Sequence, residues 1–188
     1  MNKYLPKTTL FIMGSFVLIF AVDAFVLNGI LLEAGQLSQS KVLMHNEWWR
    51  ALTASFLHSG VAHLLLNAVT FYFAGVFLEP IIGSTKFCAT YIICNVVTHV
   101  VFSFTWVFES SVGGSAGLYG LVGVLLICYI KDKNLFAKHQ KNIGVYWLAA
   151  YCGTGISRGL DALIPHIIGF MCGVLLGLVF TTKMEVKQ

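Results

Sequence analysis

Charge is scarce in this chain. Asp, Glu, Lys and Arg together make up 11% of its 188 residues, and only eight of those residues are acidic. With 57% hydrophobic residues and a mean hydropathy of +0.81, an ordinary soluble domain is excluded. No polar connector is long enough to hold a second domain. No H-E-x-x-H or other metal-ligand spacing occurs, and His58 and His63 are five residues apart, off one helical face. The five cysteines (Cys88, Cys94, Cys128, Cys152 and Cys172) all fall inside apolar stretches and read as small buried hydrophobes, with no disulfide framework. The formal net charge of +4 is not a nucleic-acid footprint, because the basic residues sit in short connectors flanking apolar segments. No metal, cofactor or nucleic-acid partner is therefore expected.

What the chain has instead is six apolar stretches, at roughly 9–32, 62–82, 87–108, 114–130, 143–157 and 163–182, judged against about 20 residues for a spanning helix. They predict one all-α, polytopic membrane domain over residues 1–188 with the lipid bilayer as its solvent. Lys3 and Lys7 precede the first stretch as they would a signal peptide, but it is longer than a typical signal core and lacks a small-x-small cleavage site. Nine basic residues (Lys3, Lys7, Lys86, Lys131, Lys133, Lys138, Lys141, Lys183 and Lys187) fall on one side of the membrane, and Lys41, Arg50 and Arg158 on the other. The positive-inside rule then makes both termini cytoplasmic. Spans two, four and six run inward, so His63, Ser115 and His166 begin their spans near one outer surface.

Helical spacing adds to this convergence. His63 and Asn67 are four residues apart and share a face, as do Ser115 and Tyr119. Gly114, Gly117, Gly120 and Gly123 recur every third residue, and Gly169, Gly173 and Gly177 every fourth. Such ridges let helix backbones approach closely in lipid, whether for packing alone or to bring side chains on two helices together. Each polar residue also has a bland reading: a serine bonding back to its own helix, an asparagine gluing helices together. Glu79, at the cytoplasmic end, reads as structural, and Asp23 has no evident role. A transporter or ion pathway would need polar residues through the full membrane depth or inverted repeats, whereas these cluster on one side.

Gly113-Gly114-Ser115-Ala116-Gly117-Leu118-Tyr119-Gly120 resembles the G-x-S-x motif of rhomboid intramembrane serine proteases. His63-Leu-Leu-Leu-Asn67 is similar to the family's H-x-x-x-N, and His166-Ile-Ile-Gly169-Phe-Met-Cys-Gly173 to its H-x-x-G-x-x-x-G. Trp49-Arg50, His58 and Glu79 with Gly83 fall where the family carries them, so the resemblance covers nearly the whole chain. Ala116 stands where the family usually has glycine, and Pro165 where a small residue is commoner; proline is tolerated in a helix's first turn.

The resemblance implies a six-helix rhomboid-like bundle that cleaves transmembrane segments of other proteins, by a Ser–His dyad and without a cofactor. Ser115 would be the nucleophile and His166 its general base. His63, Asn67 and the Ser115 backbone N–H would stabilise the oxyanion. Tyr119 would pack beside the imidazole; Asp161, expected in a loop, is not assigned as an orienter. The connector from 33 to 61 would be a partly immersed element folded around Trp49-Arg50, and span five would flank the substrate's path. The compact form suits a bacterial plasma membrane. A catalytically inactive rhomboid-like protein that binds membrane clients is the alternative within the family.

Overall fold

Backbone that crosses lipid finds no water to bond, so each apolar stretch must satisfy its N–H and C=O groups internally as a helix. The computed structural model describes residues 5–105, 108–157 and 159–181. Lys3, Arg158, Lys183 and Lys187 of the charge count lie outside the described residues. In chain order the elements are α1 (Lys7–Phe25), α2 (Ile30–Gly35), β1 (Leu37–Ser38), α3 (Gln39–His45), α4 (Arg50–Thr53) and a 3-10 turn at Ala54–Phe56. There follow α5 (Val61–Ile82), α6 (Ser84–Thr105), β2 (Ser110–Ser111), α7 (Ser115–Lys131), α8 (Lys133–His139), α9 (Ile143–Ser157) and α10 (Leu160–Phe180).

The chain is an all-α polytopic membrane protein. Among the described residues, α1, α5, α6 and, from Ala162, α10 are long and apolar enough to cross a bilayer. Only with α8, which turns away by 114°, does α7 reach that length, and α9 is a shorter apolar helix. At about 1.5 Å per residue, α7 is roughly 25 Å long against a hydrocarbon core of about 30 Å. By itself α7 is therefore too short to cross that core.

Four expectations are corrected. The first stretch, expected to run over 9–32, ends as a helix at Phe25. Asn28 and Gly29 turn the chain with φ of 51° and 89°. The buried Asp23 carboxylate then accepts from Leu31 N at 2.8 Å and Leu32 N at 3.1 Å, capping α2. That is the role the sequence did not reveal. The last helix begins at Leu160, directly after Gly159 with φ 86°, and not at 163. Asp161 thus belongs to its first turn rather than to a loop, and its side chain lies outside the described ones. Pro165 consequently occupies the second turn, where its ring deprives the Asp161 carbonyl of its helical donor.

At the opposite end of the bundle from Ser115, Glu79 is fully buried near the end of α5. Its carboxylate accepts from Thr8 N (3.1 Å), Thr9 N (3.0 Å), Thr9 Oγ1 (2.7 Å) and Ser84 Oγ (2.7 Å). One side chain thereby caps N-terminal donors of α1 and pins α1, α5 and α6 together.

The central helix, α7, is buried on most faces. Its seam with α10 is backbone against backbone. A Cβ at Gly169 would stand 2.2 Å from the Ala116 carbonyl oxygen, one at Gly173 1.9 Å from that of Gly120, and one at Gly123 2.5 Å from that of Phe170. No side chain larger than hydrogen fits at these positions without moving a helix.

The connector between α1 and α5 forms a small structure of its own. Arg50, 4% exposed, donates Nε–H to Glu47 Oε2 at 2.6 Å and Nη1–H to the carbonyls of Glu33 (3.2 Å) and Gln36 (2.8 Å) at the end of α2. Trp49 and Trp48 remain on the surface, and Trp48 stacks on Phe104 with centroids 5.8 Å apart. Pairing of β1 with β2 (Leu37 with Ser111, Ser38 with Ser110) ties this connector to the segment that leads into Ser115.

Candidate active site

The N-terminus of α7 is where four elements meet. Gly114 is its N-cap and Ser115 its first residue, so the Ser115 hydroxyl sits at the positive end of the helix dipole. Gly113 has φ 112° and donates its N–H to the Ala54 carbonyl at 2.9 Å. A side chain at 113 would be strained by that φ and would also meet His63 Cε1 at 2.7 Å and Nε2 at 2.8 Å. At Gly114 a Cβ would overlap the Tyr91 hydroxyl at 1.8 Å. These two glycines let the chain pass between α5 and α6.

Helix α6 supplies what holds that passage. The Tyr91 hydroxyl donates to the Ser55 carbonyl at 2.7 Å, and His99 Nδ1 lies 2.7 Å from the Ala51 carbonyl. Asn95 Oδ1 accepts from Gly117 N at 2.8 Å, capping one of the orphan donors of α7 from a neighbouring helix. Tyr91, Asn95 and His99 are all buried, and none was singled out from sequence. The available signal was their spacing: i, i+4, i+8, a polar stripe along one face of a membrane helix.

His166 Nε2 lies 3.0 Å from Ser115 Oγ. The imidazole is 8% exposed, and the Tyr119 ring lies parallel to it, with centroids 4.2 Å apart and planes 9° apart. The Tyr119 hydroxyl donates to the Tyr151 and Cys152 carbonyls of α9, both at 3.1 Å. Gly169 and Gly173 lie on the α10 seam already described, and Ala116, 2% exposed, fits it with its carbonyl against Gly169. His63 Nδ1 lies 3.2 Å from Ser59 Oγ, and its ring packs edge-on against His58 at 5.2 Å. Asn67 is 1% exposed; its Oδ1 accepts from the Tyr151 hydroxyl at 3.0 Å, while its Nδ2 is buried with no hydrogen-bond partner among the described residues.

Of the residues singled out from sequence, Ser115, His166, His63, Asn67, Tyr119, Gly113 and Gly114 thus gather at one end of the bundle. Trp49 and Arg50 belong to the supporting connector instead. A cavity of about 450 Å³ opens onto Ser115, His63 and His166 and is walled further by Phe102, Phe108, Glu109 and Pro165. A second recess of about 20 Å³ lies among His63, Leu66, Asn67, Ser115, Tyr119, Tyr151 and His166. That is room for about one water-sized group. Among the described residues, no three His, Cys, Asp or Glu side chains are grouped to hold a metal ion.

Residues 45–183 match the family described as Rhomboid domain. The chain is 32% identical over 151 residues to RHOMBOID-like protein 4 of Arabidopsis thaliana, covering 79% of this chain and 38% of that protein. It is 30% identical over 146 residues to the Putative rhomboid protease YdcA of Bacillus subtilis (strain 168), covering 75% and 71% respectively. A third relative, the Inactive RHOMBOID-like protein 8 of Arabidopsis thaliana, is 30% identical over 103 residues, or 54% of this chain and 29% of that protein. The chain therefore spans well under two thirds of these plant relatives and most of the bacterial one.

Proposed function

Because a Rhomboid domain accounts for residues 45–183, this chain belongs to the rhomboid family, and we propose that it is an intramembrane serine endopeptidase cleaving transmembrane segments of other membrane proteins near the outer face. The observation that carries this reading is the 3.0 Å approach of His166 Nε2 to Ser115 Oγ, on two different helices, at the mouth of a cavity. The family includes named proteases, and YdcA is one to which this chain is similar over most of both lengths.

In this reading His166 Nε2 takes the Ser115 proton as Oγ attacks the scissile carbonyl. The tetrahedral oxyanion forms at the N-terminus of α7, where the Ser115 N–H, the Asn67 amide and the His63 side chain donate to it. The buried Asn67 Nδ2 and the adjoining water-sized recess support that assignment. His166 then returns the proton to the departing amine, leaving an acyl-enzyme. Water entering through the cavity lined by Glu109, Ser110 and Ser111 is deprotonated in turn by His166 and releases the acid. In this reading the parallel Tyr119 ring, anchored on α9, orients the imidazole.

The nine-to-three split of basic residues supports cytoplasmic termini, and the compact form suits a bacterial plasma membrane. The test is labelling by a fluorophosphonate probe together with cleavage of a single-span substrate. Ser115→Ala should abolish both while expression and thermal stability stay parental, the loss amounting to several orders of magnitude in rate. Undiminished cleavage by that variant would reject the nucleophile. The alternative, an inactive client-binder, has a relative named as inactive in its favour. It predicts substrate binding with no labelling in the parent.

A further inference from the structure

The Asn67 amide is bonded at one end only. Its Oδ1 accepts from the Tyr151 hydroxyl at 3.0 Å, and its Nδ2 is buried with no hydrogen-bond partner among the described residues. A side-chain amide is nearly symmetric in shape, so only its hydrogen bonds decide which end faces a given direction. An unpaired buried donor is unfavourable in the resting protein. Nothing on α5 itself keeps Nδ2 turned to the recess; the partner that holds the oxygen comes from α9.

Helix α9 also reaches the other half of the site. The Tyr119 hydroxyl is held by the Tyr151 and Cys152 carbonyls, and the Tyr119 ring lies flat against His166. One turn of α9 therefore touches the base through one phenol and the amide through another. The Tyr119 and Tyr151 rings pack together as well, with centroids 5.4 Å apart.

We infer that Tyr151 is a positioning residue of this site: its hydroxyl fixes the Asn67 amide with Nδ2 toward the oxyanion, so that this donor is set only while α9 is docked. The inference rests on the reading of Ser115 as nucleophile. It adds a condition to that reading, since displacing α9 removes the partner that orients the Asn67 amide, together with the anchor of Tyr119.

Tyr151→Phe keeps the ring and removes the one hydroxyl. With a rhodamine-tagged fluorophosphonate in detergent micelles, the rate of Ser115 labelling should fall roughly 10-fold or more, short of the ~10²–10³ lost with a whole oxyanion donor. Cleavage of a single-span substrate should lose kcat with KM unchanged, because the donor serves a charge that develops only in the transition state. Asn67→Ala should lose about 10²–10³ in kcat, and adding Tyr151→Phe to it should cost no more than about 2-fold further, since the hydroxyl then has no amide to orient. A merely structural tyrosine would instead add its full loss on top of Asn67→Ala. A parental rate in Tyr151→Phe, or a further ~10-fold loss in the double variant, overturns the inference. Labelling that persists in Ser115→Ala strikes the protease reading itself. Ser115-dependent labelling with a parental Tyr151→Phe rate strikes only the role of Tyr151.

Discussion

Two contacts frame the Ser115 site, and they are built from different materials. Between α7 and α10 the backbones touch at Gly123, Gly169 and Gly173, with no side chain between them. Against α5 and α7, α9 packs side chains, Leu148 and Tyr151 among them, and adds single polar bonds: Tyr151 to Asn67, Tyr119 to two α9 carbonyls, and Trp147 Nε1 to Thr70 Oγ1 at 3.0 Å. Lipid tails are as apolar as leucine, so helices in a bilayer gain little from burying apolar side chains against one another. Close backbone packing then gives a contact with no rotamer to relax, whereas hydroxyl bonds can be broken one at a time. Ser115 and His166 lie across the rigid seam; the orientation of Asn67 depends on the adjustable contact.

The seam is the place to break this contrast most severely. Gly173→Val places a branched side chain where even a Cβ stands 1.9 Å from the Gly120 carbonyl. It should abolish fluorophosphonate labelling and cost about 3 kcal/mol or more in stability, measured by thermal unfolding in detergent. The matched control is Gly153→Ala on α9, where a Cβ meets nothing within 4 Å among the described residues. It should be neutral or slightly stabilising, and equal damage from both variants would erase the distinction drawn here.

A smaller effect is expected from acid at the mouth of α5. His58 is buried against the Phe16 and His63 rings, both with centroids 5.2 Å away. Burial first, and the neighbouring His63 second, push its pKa down from the ordinary 6.5 to about 4. The fold thus prefers the neutral ring, so this stability is fully present above pH 6.5 and is lost as pH falls toward 4. The loss amounts to about 3 kcal/mol. His58→Leu should flatten the acid limb of a stability-versus-pH curve; an unchanged limb would refute the assignment. The smallest change is Thr70→Val, which removes the acceptor of Trp147. An interhelical bond of this kind is worth about 0.6 kcal/mol in a membrane, so unfolding should shift slightly while labelling of Ser115 holds.

The outline of the helices was legible from apolar length, to within a few residues over most spans. It failed where a tertiary partner ends a helix. The first apolar run continues to residue 32, yet Asp23 and the left-handed Asn28–Gly29 pair stop the helix at Phe25. The last helix gained its extra turn at Leu160 after Gly159, which moved Pro165 out of the first turn. In the site, the spacing of His63 with Asn67 and the glycines around Ser115 could be read directly, because both are local helical geometry. Tyr91, Asn95 and His99 escaped notice because each contacts a segment at least 22 residues away in the chain. Nothing local marks them as more than polar residues in an apolar run.

By itself the sequence determined that this chain belongs in a membrane, that its apolar segments are helical, and that His63 with Asn67, and Ser115 with Tyr119, share helix faces. Those properties follow from composition and the 3.6-residue period, which any chain carries before it folds. Only the tertiary structure decided that Ser115 Oγ and His166 Nε2 stand 3.0 Å apart and that Asn67 turns its oxygen to Tyr151. The first distance depends on glycines of two helices meeting across a seam, and the second on a hydroxyl 84 residues away along the chain. Orientation of a side chain is set by what finally surrounds it, and that exists only once the helices have packed.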